Sequence, residues 1–484
     1  MGLSTLIPAP GHNQLKEYIG KGFVEKIMMR CCLFNGSRGS KIMDRFIVRL
    51  ILLCFNLPCL VSAQDSLRSV EILSLQNAWS MAFEHNPDYQ NYKLNQEKAG
   101  INHKASKSYR FPTISASINA QRNLDLATTP LPGEIFGLPE GTTIDAQFGQ
   151  VYAYNAGIAL SKSIFDRQAI VQSKLSKLDV QMTGVQREAY GQLLKQQVSL
   201  HYYAALIARR SIALNQRDLA VADSIVFLSN QKFDEGVIDV IALNQAKINL
   251  NTVKQSQVNH QLLYDQSVSE LKKLLGMRHT DTLRLPSKLE YKLPKYYYAD
   301  ELLVDPGITL ALVNEQQADL QVSLQASFFL PKLTANSYYG RQQFRDDFGV
   351  SFSDNAWTNF SYLSLDLSIP IFTGFANKNH YKASKVSQQV AKNELENARL
   401  TASIDDQQLI NEYNYSLENA QVALETFELF QENSQLSYQK FTGGLISLDR
   451  YLGVFEDYLE AESAFLNALS GTYSYYSQII SRTE

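Results

Sequence analysis

Residues able to do chemistry are present in this 484-residue chain, but they are scattered. The histidines are His12, His85, His103, His201, His260, His279 and His380, and none has a second ligand at metal spacing. Each reads as a solvated or interface histidine. No Gly-rich phosphate loop, nucleophile elbow or HExxH pair occurs. All four cysteines, Cys31, Cys32, Cys54 and Cys59, precede a plausible cleavage point after Ala63, so the exported chain is expected to hold no disulfide and no thiol nucleophile. No catalytic residue, cofactor or metal site is expected, and the chain is not expected to be an enzyme. With 45 Lys+Arg against 48 Asp+Glu and 45% hydrophobic residues, it is neither a disordered tail nor a basic nucleic-acid binder.

The most apolar run, Phe46 to Val61, is broken by Arg49, Asn56 and Pro58 and followed by Ser62, Ala63 and Gln64. A signal-peptide core with a small-residue cleavage site has this form. Residues 1–63 are therefore a leader region, with Met43 a natural start and 43–63 the signal peptide. A transmembrane anchor needs about 20 apolar residues, more than Arg49 and Pro58 leave. Neither Cys54 nor Cys59 follows the small residue that lipid attachment requires. Removing residues 1–63 takes away eight Lys+Arg and three Asp+Glu, which leaves 37 against 45 and about eight net negative charges.

Proline is absent between Pro139 and Pro286 and after Pro370. Stretches that long point to long helices, because an interior proline costs about 3 kcal/mol. The chain also repeats. Phe111-Pro112 matches Leu330-Pro331, Ser163 to Asp166 matches Pro370 to Thr373, and Gln231, Lys232, Phe233 and Gly236 match Gln439, Lys440, Phe441 and Gly444. The segment from Gln121 to Phe148 is longer than its counterpart, Arg341 to Trp357, as surface loops allow. The organisation is a first repeat over 64–279, a crossover over 280–305 and a second repeat over 306–484. Each repeat reads helix, strand, loop, strand, long helix, turn, long helix.

Alternation marks the strands. Ile114, Ala116, Ile118 and Ala120 share a face, as do Tyr152, Tyr154, Ala156, Ile158 and Leu160, and Leu363, Leu365, Leu367, Ile369 and Ile371, while Leu333 to Tyr339 alternates more weakly. The pattern fits a half-buried soluble sheet and also a membrane barrel with a wet lumen. The aromatics Tyr109, Phe111, Tyr152, Tyr154, Tyr338, Tyr339, Phe360 and Tyr362 near strand ends would suit the girdles of a barrel. Asp166 to Lys232 and Gly374 to Lys440 would extend roughly 100 Å as helix. Along the first of these, Val171, Leu175, Leu178, Met182, Val185, Ala189 and Leu193 form a seam at spacings of three and four. Leu243 to Leu275 and Leu448 to Ile480 return, with Gly236 and Gly444 marking the turns. Four strands cannot close a barrel alone, so membrane strands would require several chains, and three chains would supply twelve.

The chain resembles the TolC-like outer-membrane efflux proteins over about residues 70 to 480. The resemblance rests on Leu73 to Trp79 followed by Ala82, Asn86 and Pro87, on Pro370-Ile371-Phe372-Thr373-Gly374 where a strand enters a long helix, and on Phe233 to Gly236 and Phe441 to Gly444 at hairpin tips. It implies an α+β membrane protein, a trimeric 12-stranded β-barrel with four strands per chain continued by a long α-helical barrel, arising from internal duplication. The implied function is that of a passive outer-membrane channel in a tripartite efflux or type I secretion system. Its implied partners are two further copies in a homotrimer, a periplasmic adaptor, an inner-membrane pump and outer-membrane lipid, with no nucleic acid. The implied location is the outer membrane of a diderm bacterium with a periplasmic extension. The resemblance also points to the tips as a gate, with Asp239 after Gly236 and Asp449 and Arg450 after Gly444. Three carboxylates near one axis repel, attract cations and are bridged by any arginine in reach. An acidic group at a helix start is also favoured for local reasons. A periplasmic coiled-coil scaffold without a pore is the alternative that the residues leave open.

Overall fold

A computed structural model describes residues 69–72, 74–286, 289, 293–296 and 305–483, all within the unit Leu67–Glu484. The leader region and part of the crossover lie outside the described residues. After a short strand, β1 (Ser69–Glu71), come two helices, α1 (Leu75–His85) and α2 (Pro87–Ser106). Asn86 separates them for a physical reason. It ends α1, and its side chain then accepts from the Tyr89 N–H at 2.9 Å to cap α2, whose first residue is the proline that needs no donor. The buried Asn86 amide also donates to Leu274 O at 3.0 Å, tying this corner to a distant helix end. The second half uses the same device: Asp305 caps α5 (Pro306–Ser327) ahead of Pro306.

The strands are β2 (Thr113–Arg122), β5 (Tyr152–Phe165), β7 (Lys332–Arg345) and β8 (Thr358–Ser368), which form one antiparallel sheet in the order β2-β5-β7-β8. Directly opposed residues share a face. The row Thr113, Ser161, Asn336 and Ser364 is polar, and its neighbour Ile114, Leu160, Ser337 and Leu363 is mostly apolar. Asn336 bridges the polar row, accepting from Ser161 Oγ at 2.7 Å and donating to Asp366 Oδ2 at 2.5 Å. On the other face Ile118, Leu363, Leu365 and Leu367 are exposed. Gly157 and Gly340 oppose each other at the centre. A Cβ on Gly157 would sit 2.5 Å from the Tyr338 ring, and one on Gly340 would sit 2.6 Å from Ala156 O, so both must be glycine.

The aromatics do not make one girdle. The register puts Tyr338, Phe360 and Tyr362 on the polar face, with the Tyr338 ring over the glycine pair and stacked on Tyr362, and leaves Tyr339 on the apolar face. Tyr154 is buried because the β7–β8 loop folds over it and the Gly349 N–H donates to its hydroxyl at 3.0 Å. The loop from Gln121 to Phe148 is partly ordered: β2 continues to Arg122, and β3 (Thr128–Pro132) pairs with β4 (Thr143–Gln147).

The long helices are α3 (Arg167–Asp234, 68 residues) and α6 (Ala376–Thr442, 67 residues), with return helices α4 (Val240–Leu274) and α7 (Leu448–Ile480). The entries differ. Asp166 caps α3 and pairs with Lys332 at 2.9 Å, whereas α6 begins after Gly374 and Phe375, both left-handed. Helix α5 lies between α3 and α6, joined by Gln317 to Asp179 at 2.9 Å and by Gln388 to Asp319 at 2.6 Å. The α3 seam holds at Val171, Leu175 and Leu178 and then shifts. Leu193 is exposed, and burial passes instead through Gly184, Gly191, Leu194 and Val198. A straight helix drifts about 20° per heptad from a 3.5 repeat. The drift brings Gly184 beneath Gln96, and Gly191 beneath Phe83 and Tyr89, where small residues admit α2. Of the crossover, β6 (Thr282–Arg284) pairs in parallel with β1 (Ser69–Glu71), and the Pro294 and Tyr296 carbonyls accept from Tyr413 Oη and Asn414 Nδ2 on α6.

Candidate functional site

Both hairpin tips close in the same way. The Val237 N–H reaches back to Lys232 O and the Gly236 N–H to Phe233 O, while Leu445 and Gly444 repeat this with Lys440 and Phe441. These paired 6→1 and 5→2 bonds need a left-handed residue, and Gly236 (φ 72°) and Gly444 (φ 75°) supply it. Beyond the glycines the tips diverge. Asp239 is the N-cap of α4 and accepts from the Ala242 N–H at 2.9 Å. At the same offset the second tip has Ser447, which caps α7 by accepting from the Arg450 N–H at 3.3 Å. Asp449 and Arg450 then fall in the first turn of α7, exposed, and among the described residues neither side chain is hydrogen-bonded or ion-paired. Within one chain, therefore, the five tip residues are not drawn into one cluster.

The aromatic before each glycine diverges as well. Phe441 is 1% exposed, stacks on Tyr451 with ring centroids 5.4 Å apart and lies beneath Lys232 Nζ at 4.5 Å. Phe233 is 39% exposed. The Lys232 contact links the two hairpins, since lysine and ring come from different ones. Farther from the tips, Gln245 of α4 donates to Glu456 of α7 at 2.8 Å.

A third tie is buried. Tyr458 Oη of α7 lies 2.9 Å from Asp218 Oδ1 of α3 and 2.9 Å from Glu462 Oε2. Burial first, and the neighbouring Asp218 carboxylate second, push the Glu462 carboxyl up to about 8. Burial likewise raises Asp218, opposed by the Tyr458 hydrogen bond and by Arg217. Aromatic packing makes this burial possible: Phe427, Phe455 and Tyr458 are stacked with centroids 5.8 to 6.0 Å apart.

Lys232, Gln245 and the Asp218–Tyr458–Glu462 group lie outside the residues that the sequence motifs single out. A signal for the last was present. Leu448, Tyr451, Phe455, Tyr458, Glu462, Phe465 and Leu469 run at spacings of three and four, so Glu462 is a carboxyl on an apolar seam. Leu214, Asp218, Ala222 and Ile225 do the same on α3.

An open antiparallel sheet with one exposed apolar face, continued by two very long helical hairpins, defines the class of protein. The sequence model of the outer membrane efflux protein family matches residues 78–277 and 298–476, and the chain belongs to that family. No curated protein matches it in sequence. Solved structures with the same fold include the open state of the MtrE outer membrane channel of Neisseria gonorrhoeae, at 18% identity and a TM-score of 0.69 over 84% of this chain and 88% of that one. The CmeC outer membrane channel of Campylobacter jejuni is similar at 17% identity and 0.67, over 84% of each chain. The VceC outer membrane protein of Vibrio cholerae is similar at 15% and 0.67, over 84% and 95%. Among the described residues no helix is long and apolar enough to cross a membrane.

Proposed function

We propose that three copies of this chain form the outer-membrane channel of a tripartite efflux or type I secretion system, and that it conducts substrates passively. The observation that carries this is the four-stranded sheet, whose edge strands β2 and β8 are unpaired among the described residues and whose apolar face is exposed. An open edge is intolerable in lipid, and three such sheets joined edge to edge make a closed twelve-stranded barrel. The helices support the same assembly. On α6, Val386, Val390, Leu400, Ile404, Tyr415, Val422, Leu429 and Leu436 are exposed at near-heptad spacing, and on α4 Ile241, Ile248 and Leu262 are exposed at sevens. Such seams are satisfied by neighbouring helices of other copies, giving a helical barrel below the membrane.

In this reading 64–279 and 306–484 are duplicated repeats, the helices extend into the periplasm, and the second tip is the gate. Asp449 and Arg450 of each copy meet those of the next around the axis, while Asp239 is held by its cap. Val237 and Leu445, exposed at the tips, offer an apolar rim to a periplasmic adaptor, with an inner-membrane pump beyond it. Outer-membrane fractionation and heat-modifiable migration test the assembly. A trimer that dissociates on boiling and needs detergent for extraction is expected. Release of a monomer without detergent would favour the poreless scaffold.

A further inference from the structure

We propose that Asp218, Tyr458 and Glu462 form a proton-dependent staple between the two helical hairpins of each chain, one that holds α7 against α3 and loosens as pH rises. A phenol has one O–H and can donate once. Tyr458 nevertheless has a carboxyl oxygen at 2.9 Å on each side, so it can satisfy only one of them while both are ionised, and a proton on the carboxyl pair, given to the phenol oxygen or to the other carboxyl, relieves the second. If both carboxyls were ionised, one would face Tyr458 without a hydrogen, beside a second negative charge and out of water: Asp218 is 3% and Glu462 5% exposed. The three groups form one coupled unit joining α3 to α7.

The surroundings support a proton that can leave. From α3, Arg210 acts on Glu462 and Arg217 on Asp218, each favouring ionisation. From α7, Glu456 and Glu460 border the cavity beside Glu462, and Tyr451 is buried close to Asp218. From α4, His260 faces the same cavity, its cationic form disfavoured by burial. From α6, Tyr438 and neutral side chains line the approach. Two cavities with mixed polar and apolar linings border the staple. One of about 460 Å³ between α4 and α7 touches Glu462, and one of about 400 Å³ bounded by α3, α6 and α7 touches Asp218 and Tyr458. The first is also lined by Asn215 and Asn249, whose buried Oδ1 and Nδ2 have no protein partner. Such a cavity suits water, and water gives the staple a route for proton exchange.

The staple lies within one chain. Only its effect on the tunnel wall rests on the trimeric-channel reading. The test uses the purified full chain in detergent between pH 5 and pH 9.5. The infrared carbonyl band of a buried carboxylic acid should be present at pH 6 and vanish with a midpoint near 8, and the thermal midpoint should fall over the same range. Glu462→Gln, which keeps a neutral hydrogen-bonding group, should lose the band and flatten the thermal profile. Asp218→Asn removes the second carboxyl's charge but not the burial, so it should keep the band at low pH and move its midpoint down; it serves if the first variant does not fold. Absence of a wild-type band at pH 6, or an unchanged pH profile in a folded variant, would overturn the staple. Single-channel conductance should rise above pH 8 in the wild type only. Flat conductance beside a titrating band would overturn the loosening of the wall and leave the trimer reading untouched.

Discussion

The two hairpin tips share a backbone and differ in chemistry. Both glycines adopt the same left-handed turn with the same two closing bonds. At the first tip the acidic residue, Asp239, is used to cap α4, and the aromatic, Phe233, is partly solvated. At the second tip a serine takes over the cap, Phe441 is buried beneath Lys232, and Asp449 and Arg450 are left unengaged. The same left-handed turn is thus followed by a capping acid at one tip and, at the other, by a capping serine with an exposed acid and arginine in the next turn of helix. Position relative to the glycine separates the two: the third residue is the cap at both tips, and Asp449, the fifth, falls inside the helix.

The comparison can be broken most strongly at the aromatics. Phe441→Ala should cost about 3–5 kcal/mol per chain in denaturant unfolding, the range for a buried phenylalanine, whereas Phe233→Ala should cost less than about 1 kcal/mol because it is already partly solvated. Equal losses would mean that the tips are packed alike. The next effect is the pH dependence of the hairpin contact. The folded protein raises Glu462 from its ordinary 4.5 to about 8, so its stabilisation is complete below about 4.5 and is lost as pH rises through about 8. Melting at pH 6 and pH 9 should differ in that direction, and Phe233→Ala should leave the difference unchanged. Asp239→Ala and Ser447→Ala should each cost about 1 kcal/mol, the usual value of an N-cap, seen as matched shifts in thermal midpoint. Smallest of all, Asp449→Ala with Arg450→Ala should change stability by no more than about 0.5 kcal/mol while raising conductance.

Much of this was legible in sequence because the period of the hydrophobic pattern is a direct readout of strand and helix. The four strands, both long helices and both tip glycines follow from spacing alone. Asn86-Pro87 was legible as a pattern, and its double role as cap and anchor to Leu274 required three dimensions. The α3 seam fails after Leu178 because a straight helix drifts relative to a heptad and because α2 chooses the face with Gly184 and Gly191. Tyr338 and Tyr339 are adjacent and were grouped together. Alternation places them on opposite faces, and the glycine notch that holds Tyr338 is formed partly by another strand. The buried carboxyl pair went unseen for a related reason. Each carboxyl interrupts a seam by itself, but only the contact between α3 and α7 makes two interruptions into one site.

The central claim is that three chains form a tube held nearly shut at the second hairpin tips. Planar-bilayer conductance of the detergent-purified protein, run beside its oligomeric mass, tests it most directly. The account predicts a trimer with small, steady, cation-preferring conductance that increases in the Asp449→Ala, Arg450→Ala double variant. A monomer that inserts no channel, or a trimer whose conductance is already large and unchanged by the double substitution, would contradict it.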